Sequence, residues 1–145
     1  MQTFTDQDVF SLLRKHHTYV TRNRVAVLKV LSEQNRSISL AAIRKLAPVK
    51  LDRISVYRTL QLFRKKGIVV VIPNSKGIPL YILTAFVHAS SKQGNKRQNS
   101  YFVCSNCGYT EQLELHQLSD HKQLVHHYIQ NSYIVLEGLC KECKK

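Results

Sequence analysis

The first part of the chain carries hydrophobic residues at helical spacing, interrupted by short polar breaks. Apolar positions recur every three or four residues in four segments, which is the pattern of helices that bury one side. The predicted helices run over residues 6–17, 21–33, 39–46 and 51–67. Residues suited to cap helix N-termini begin the first three of these segments: Thr5 or Asp6, Thr21 and Ser39.

The fourth predicted helix has two unlike faces. Its apolar stripe consists of Val56, Leu60 and Phe63. The opposite side presents Arg58, Gln61 and Lys65, with Tyr57 on its flank, and Gly67 follows as a residue that favours helix termination. An aromatic side chain on a polar face has no packing role there, so this face is the candidate binding surface.

A predicted β-hairpin follows the fourth helix. Two short apolar runs, 68–72 and 78–83, are joined by a turn rich in Asn, Ser and Gly. Helices followed by a hairpin are the order of a winged helix-turn-helix, in which the helix before the wing enters the major groove of DNA. The candidate DNA contacts are Arg22, Arg53, Ser55, Tyr57, Arg58, Gln61 and Lys65.

The charge distribution supports this interpretation. The chain has 22 Lys and Arg against 9 Asp and Glu among its 145 residues, a net charge of +13. Residues 1–85 hold 15 of the cations and 4 of the acids, and therefore carry +11 of that total. Such an excess supplies the counterion release on which DNA binding depends. A basic helical domain that binds an acidic protein or ribosomal RNA remains the alternative.

The apolar runs are too short for a membrane protein. The longest, 68–72, has five residues, against the roughly 20 that cross a bilayer. The N-terminal ten residues lack the basic and apolar regions of a signal peptide. We therefore expect a cytoplasmic protein that does not bind membranes.

The second part of the chain has a different organisation. His88 to Ser100 is polar and aperiodic, which predicts a linker over residues 86–100 between domains at 1–85 and 101–145. Beyond it the pattern predicts strand, strand, helix and strand, with the helix near residues 118–129. About 60 residues make a marginal core, so metal and a second copy of the chain would supply stability. The fold class is therefore α+β, with a small C-terminal α/β dimerisation domain.

Four cysteines dominate the chemistry of this second part. Cys104, Cys107, Cys140 and Cys143 follow the spacing C-x₂-C-x₃₂-C-x₂-C and are all the cysteines in the chain. Two such pairs favour one tetrahedral zinc ion per chain, held by four thiolates with no position open for catalysis. Gly108 and Gly138 are expected to relieve tight backbone near the pairs. Disulfides, a redox pair and an iron–sulfur cluster are the alternatives.

Several motifs together resemble the ferric uptake regulator family of bacterial metal-responsive repressors. The motifs are T-x-x-R at Thr21–Arg24, V-L-x-x-L at Val27–Leu31, I-S-V-Y-R-T-L at Ile54–Leu60, L-F-R-K-K-G-I-V at Leu62–Val69, C-x-x-C-G at Cys104–Gly108 and G-L-C-x-x-C at Gly138–Cys143. The resemblance implies a homodimer that reads an inverted repeat in double-stranded promoter DNA through a winged helix. It also implies that Tyr57 and Arg58 contact DNA and that the cysteines hold structural zinc.

The chain departs from the family at the positions that sense metal. Family members use an H-x-H pair before the first cysteine, an acid after the wing and a histidine in the DNA-binding half. The corresponding residues here are Asn99, Tyr101, Ile82 and Ser37. These side chains do not replace nitrogen and oxygen ligands of comparable affinity, so a second, regulatory metal is not expected. A displaced site built on His88 and His116 stays open as an alternative.

The sequence therefore predicts a dimeric, zinc-stabilised, DNA-binding transcriptional regulator, a repressor by resemblance, without the usual sensory metal site. No nucleophile triad, phosphate loop or open zinc site is visible, so an enzyme is not expected. The alternative function is that of a zinc-ribbon interaction protein whose basic half binds RNA or an acidic partner.

Overall fold

The N-terminal half is built from four helices, as the periodicity predicts. The computed structural model describes residues 4–89, 100–113, 126–128 and 132–145, without the side chains of residues 88 and 89. The helices are α1 (Asp6–Lys15), α2 (Arg22–Gln34), α3 (Leu40–Leu46) and α4 (Arg53–Lys65). Each begins and ends within about two residues of its predicted bounds, the scatter expected at helix ends.

Polar side chains fix where each helix begins. Thr5 accepts the backbone N–H of Asp8, and the Asp8 carboxylate accepts the backbone N–H of Thr5, which forms a capping box. Thr21 and Ser39 cap α2 and α3 by accepting the N–H three residues on. The predicted caps are confirmed, and Asp52 adds a fourth at the start of α4.

Gly67 ends α4 in the conformation that the sequence predicts. Its φ of +72° is left-handed, and the two backbone bonds of a Schellman motif form around it. The N–H of Ile68 donates to Phe63 O at 2.9 Å, and that of Gly67 donates to Arg64 O at 3.1 Å. The chain therefore leaves α4 directly into the hairpin.

The predicted hairpin forms the wing. Strands β2 (Val69–Ile72) and β3 (Leu80–Leu83) pair antiparallel, and β1 (Ile38–Ser39) joins the other edge of β3. The second strand starts two residues later than predicted because the turn is longer. Asn74 accepts the backbone N–H groups of Gly77 and Ile78, and Pro79 has no N–H to offer a ladder.

The C-terminal half contains a second sheet of four strands. Its order is β4-β6-β5-β7, with β4 (His88–Ala89), β5 (Ser100–Cys104), β6 (Thr110–Gln112) and β7 (Ile134–Gly138). The outer pairs β4–β6 and β5–β7 are parallel, and the central pair β5–β6 is antiparallel. Strand β4 falls inside the predicted linker, whereas the helix predicted near residues 118–129 lies almost wholly outside the described residues.

Two apolar clusters hold the described structure together. The larger lies among the four helices and the wing, and includes Val56, Leu60 and Phe63 of the predicted stripe, each fully buried. The smaller joins the wing to the second sheet. Its buried members are Ile72 and Ile82 from the wing with Tyr101 and Val103 from β5. The wing therefore packs against the cysteine-bearing half as well as against the helices.

Among the described residues, no helix has the length and hydropathy that a bilayer-spanning segment requires.

Candidate DNA-binding face and metal centre

Helix α4 is positioned by polar contacts at its N-terminus. The Asp52 carboxylate accepts the backbone N–H of Ser55 at 2.8 Å, and hydrogen bonds from Ser55 lower the pKa of this carboxyl. In the segment just before this cap, the carbonyl of Leu51 accepts a hydrogen bond from the Arg44 side chain of α3 at 3.1 Å. These contacts fix the turn between α3 and α4, and with it the direction in which α4 projects.

The outward face of α4 carries several of the predicted contact residues. Arg58 and Lys65 are exposed, Gln61 is half-buried, and Tyr57 is 51% exposed. The opposite stripe is fully buried, so the two-faced character of the helix is confirmed. The face has a cationic and aromatic surface of the kind that meets phosphates and base edges.

The remaining predicted contacts lie at helix starts. Arg53 and Arg22 are the first residues of α4 and α2, and both are exposed. Ser55 is half-buried, and its backbone N–H is taken by the cap. The structure thus gathers Arg53, Ser55 and the outward residues on one helix and leaves Arg22 on another.

Two of the exposed apolar residues are not among the predicted contacts. Ile54 is 64% exposed in the first turn of α4, and Tyr19 is 85% exposed just before α2. The Tyr19 carbonyl accepts a bond from Arg24 at 2.9 Å. The helical wheel that places Arg58 outward also places Ile54 outward, so the periodicity of the sequence already indicates this exposure.

The structure brings the four cysteines together. The sulfur atoms of Cys104, Cys107, Cys140 and Cys143 all lie within 4.8 Å of one another, and those of Cys107 and Cys140 are 3.7 Å apart. Four sulfurs bonded to zinc at about 2.3 Å in a tetrahedron stand about 3.8 Å apart, so the cluster fits a structural zinc ion. It is the one group of three or more metal-ligating side chains found within the described residues.

Tight turns shape each cysteine pair. The Gly108 N–H donates to Cys104 O at 2.9 Å, and the Cys143 N–H donates to Cys140 O at 3.0 Å. Gly108 has a φ of +75°, which confirms its predicted role in the first turn. Gly138 does not adopt a left-handed conformation, so the expectation for that residue is wrong: it ends β7, and the second turn forms beyond it.

The pKa of Cys104 is lowered, whereas the pKa values of Cys107 and Cys143 are raised. Burial raises the pKa of Cys104, but backbone N–H groups of Cys107, Cys140 and Asn106 outweigh burial and lower the pKa to about 6. The backbone N–H of Tyr109 lowers the pKa of Cys107, whereas burial and the neighbouring sulfurs raise it to about 12. Crowded sulfurs cannot all ionise unless a cation offsets their charge, and this is the charge balance that a divalent metal provides.

The first cysteine turn contacts the helical half directly. Gly108 O accepts the backbone N–H of Ser37 at 2.9 Å and the Ser37 hydroxyl at 3.1 Å, and Ser37 is buried. A Cβ atom on Gly108 would lie 2.7 Å from Ser37 O. Only glycine leaves room for this contact. The first cysteine turn and the chain before α3 therefore pack directly against each other.

The tip of the wing makes a second contact with the cysteine-bearing half. The Glu137 carboxylate of β7 accepts the backbone N–H and the hydroxyl of Ser75, both at 2.6 Å. These bonds, with a smaller contribution from Lys76, lower the pKa of Glu137. A further contact between the two halves is the hydrogen bond that Arg64 of α4 donates to the Tyr133 hydroxyl at 3.3 Å.

A cavity of about 380 Å³ is lined by Ser37 and Gly108 from the first of these contacts and by Glu137 from the wing contact. The wing turn, the start of α3 and the first cysteine turn all contribute to its walls. Its charged lining residues are Arg36, Lys76 and Glu137. The cavity therefore lies at the interface between the helical half and the cysteine-bearing half.

The positions at which the family resemblance places sensory ligands have packing roles here. Ile82 and Tyr101 are buried together in the smaller apolar cluster, and Ser37 binds Gly108. Asn99 lies outside the described residues. Three of the four positions therefore contribute to the joint between the halves.

The histidines do not form a second cluster where the structure describes them. His16 Nδ1 lies 2.9 Å from Lys66 O and links α1 to the end of α4. His126 and His127 are exposed. The alternative site at His88 and His116 lies outside what is described, since the side chain of the first and all of the second are not included.

Fold and sites together define a winged-helix protein with a four-cysteine cluster that fits a metal ion. The family model for the ferric uptake regulator family matches residues 15–134. The chain therefore belongs to the ferric uptake regulator family, whose members are metal-responsive, DNA-binding transcription regulators.

Solved structures of regulators share this fold. A zinc uptake regulator complexed with zinc and DNA superposes with a TM-score of 0.65 at 22% identity, covering 97% of this chain and 96% of that one. The ferric uptake regulator of Pseudomonas aeruginosa with manganese has a TM-score of 0.56 at 23% identity, over 92% and 98% of the two chains. That of Vibrio cholerae gives 0.55 and 22%, over 90% and 98%. A search of curated protein sequences finds no match.

Proposed function

We propose that this protein is a cytoplasmic, homodimeric transcriptional repressor that binds an inverted repeat in double-stranded promoter DNA. The observation that carries the proposal is the outward face of α4, where Arg58 and Lys65 stand beside an exposed Tyr57, opposite a fully buried stripe. The proposed contacts are the seven predicted ones: Arg22, Arg53, Ser55, Tyr57, Arg58, Gln61 and Lys65. Family membership supports a regulator rather than an enzyme.

Selection from a random duplex library tests this function. We expect the chain to enrich a two-fold-symmetric sequence and to bind it with an affinity that falls steeply as salt rises. Binding of single-stranded RNA or an acidic protein in preference to duplex DNA would instead support the zinc-ribbon alternative, which the basic charge also permits.

Arg58→Ala tests the recognition helix. We expect the loss of more than about 1 kcal/mol of binding free energy for the selected duplex, because a cation on the outward face would be removed. Lys145→Ala is the matched control, since it deletes one exposed cation that pairs with Glu142 at the end of the chain. Equal affinities of the two variants in fluorescence anisotropy would contradict the assignment of α4.

We propose that Cys104, Cys107, Cys140 and Cys143 hold one structural zinc ion per chain. The sulfur geometry supports this, and the Asn106 amide donates a hydrogen bond to Cys143 Sγ at 3.3 Å, which would help to orient that sulfur toward the ion. Four thiolates close the site to water, so zinc would hold the two turns together without chemistry of its own.

We further propose that a second, regulatory metal is absent. The support is that Ser37, Ile82 and Tyr101 already bind or pack where the resemblance places sensory ligands. Mass spectrometry under native conditions after incubation with excess Zn(II), Mn(II) or Fe(II) tests this. We expect one bound metal ion per chain, and a second tightly bound ion would contradict it.

The dimer contact is proposed at β7. This strand has only one described neighbour in the sheet. Leu136 within it, and Tyr133 and Leu139 directly before and after it, are each at least 43% exposed. An apolar, unpaired strand edge favours pairing with a second copy across a two-fold axis. Analytical ultracentrifugation is expected to give a dimer, and Leu136→Glu is expected to weaken it. The domain division at residues 85 and 101 stands as part of the proposal.

A further inference from the structure

Ile54 is an apolar residue in a place that protein stability does not explain. At 64% it is the most exposed Val, Leu or Ile among the described residues. The isoleucine is β-branched and has a lower helix propensity than alanine or leucine, so α4 gains nothing from it as a helix former. It also lies opposite the buried Phe63, so it contributes nothing to the core.

The surroundings of Ile54 are cationic and face outward. On a helix of 3.6 residues per turn, Arg58, Gln61 and Lys65 lie within about 40° of Ile54, and Tyr57 lies about 60° away. Ile54 is the second residue of α4, after Arg53. The side chain therefore forms an apolar centre in the first turn of α4, with positive charge around it.

The charges around Ile54 determine which partner fits it. A protein partner that covered the isoleucine would have to desolvate Arg53 and Arg58, which have no acidic partner among the described residues. Duplex DNA supplies phosphates for the cations and presents one apolar group in its major groove, the C5-methyl of thymine. The N-terminal residues of a recognition helix are those that approach base edges.

We propose that Ile54 is a specificity-determining residue that contacts the C5-methyl group of a thymine in each half-site. This inference rests on the proposed function, since it requires that α4 enter the major groove. Arg58 and Lys65 hold the helix against phosphates, and Ile54 selects thymine over cytosine because only thymine carries the methyl group. The bound sequence then has a fixed thymine opposite the first turn of α4.

Replacing thymine by deoxyuridine tests the contact one methyl group at a time. The zinc-loaded, full-length protein is first used to select its duplex site. Each symmetric pair of thymines in that site is then replaced by deoxyuridine, and affinities are measured by fluorescence anisotropy for the natural chain and for Ile54→Ala. We expect one pair to weaken binding by the natural chain about fourfold for each methyl group, the effect of removing one buried CH₂-sized group.

The same replacement of thymine by deoxyuridine is expected to leave the affinity of the Ile54→Ala variant unchanged, because that variant has already lost the methyl contact. Leu46→Ala is the matched control: Leu46 is an exposed leucine at the end of α3, 45% accessible, and this variant should respond to deoxyuridine as the natural chain does. Circular dichroism checks that Ile54→Ala keeps the helix, which alanine favours.

The outcomes separate this inference from the proposed function. If the natural chain selects no duplex, the proposed function fails. If a duplex is selected but the natural chain and the Ile54→Ala variant respond identically to deoxyuridine at every position, the proposed function stands and the methyl contact is overturned. A change in oligomeric state of Ile54→Ala without DNA would also overturn the inference, by assigning the residue to a protein contact.

Discussion

At the scale of single residues, the decisive feature is a glycine that joins two parts of the molecule. Gly108 meets two independent requirements: its φ is +75°, and Ser37 O leaves no room for a side chain. Its carbonyl also accepts the Ser37 and Thr110 hydroxyls. The residue after the first cysteine pair therefore holds the cysteine cluster against the helical half.

Gly108→Ala is expected to be much more destabilising than a glycine substitution with the same backbone strain. Gly77→Ala is the matched control, because Gly77 has a φ of +69° and open space around it. Left-handed strain alone costs about 1–2 kcal/mol. The forced contact with Ser37 should add about 1–3 kcal/mol to the loss of unfolding free energy. Urea unfolding of both variants measures the difference, and equal losses would contradict the fitted contact.

At the scale of elements, the wing bridges the two halves. Buried side chains of its strands pack against buried side chains of β5, and its turn binds β7 through the hydrogen bonds between Ser75 and Glu137. The hydrogen bonds from Ser75 lower the pKa of Glu137 in the folded chain. Since the folded pKa lies below the unfolded one, the contact stabilises the fold above the unfolded pKa and is lost as pH falls through the folded value.

Ser75→Ala is expected to raise the pKa of Glu137 toward its ordinary value and to remove this part of the acid sensitivity. A carbon-detected NMR titration of the Glu137 carboxyl reports the pKa directly. Thr84→Ala is a suitable control, since it deletes a hydroxyl that binds Gly67 O elsewhere on the wing. An unchanged Glu137 titration in Ser75→Ala would show that this contact does not form in solution.

At the scale of the whole molecule, the two halves share a core and should unfold together. Ile82 is 1% exposed in the cluster that joins wing and sheet. Ile82→Ala should therefore cost about 2–5 kcal/mol and shift a single calorimetric transition to lower temperature. Two separate transitions, of which only one moves, would indicate that the halves are independent.

Zinc removal is expected to act on both halves for the same reason. A chelator would free the turn that holds Gly108 against Ser37, so amide exchange should rise near Ser37 as well as near the cysteines. Hydrogen exchange with mass spectrometry measures both regions at once. Exchange that rises only at the cysteine turns would contradict the coupling.

The sequence predicts the helices and strands better than it predicts the contacts between them. Helix bounds, the caps at Thr5, Thr21 and Ser39, and the stop at Gly67 depend on neighbouring residues and were predictable. The cysteine cluster was predictable from spacing. The packing of Ile82 on Tyr101 and the pairing of β4 with β6 join residues far apart in the chain, and no local pattern encodes such contacts.

The most direct test of the account is DNA binding by the proposed dimer, loaded with one zinc ion per chain. Its affinity for the selected inverted repeat is measured by fluorescence anisotropy at physiological salt, with and without excess Fe(II), Mn(II) or Zn(II). The account predicts sequence-specific binding that added metal leaves unchanged, because direct packing already joins the halves. Binding that appears only when a second metal ion is supplied would contradict it.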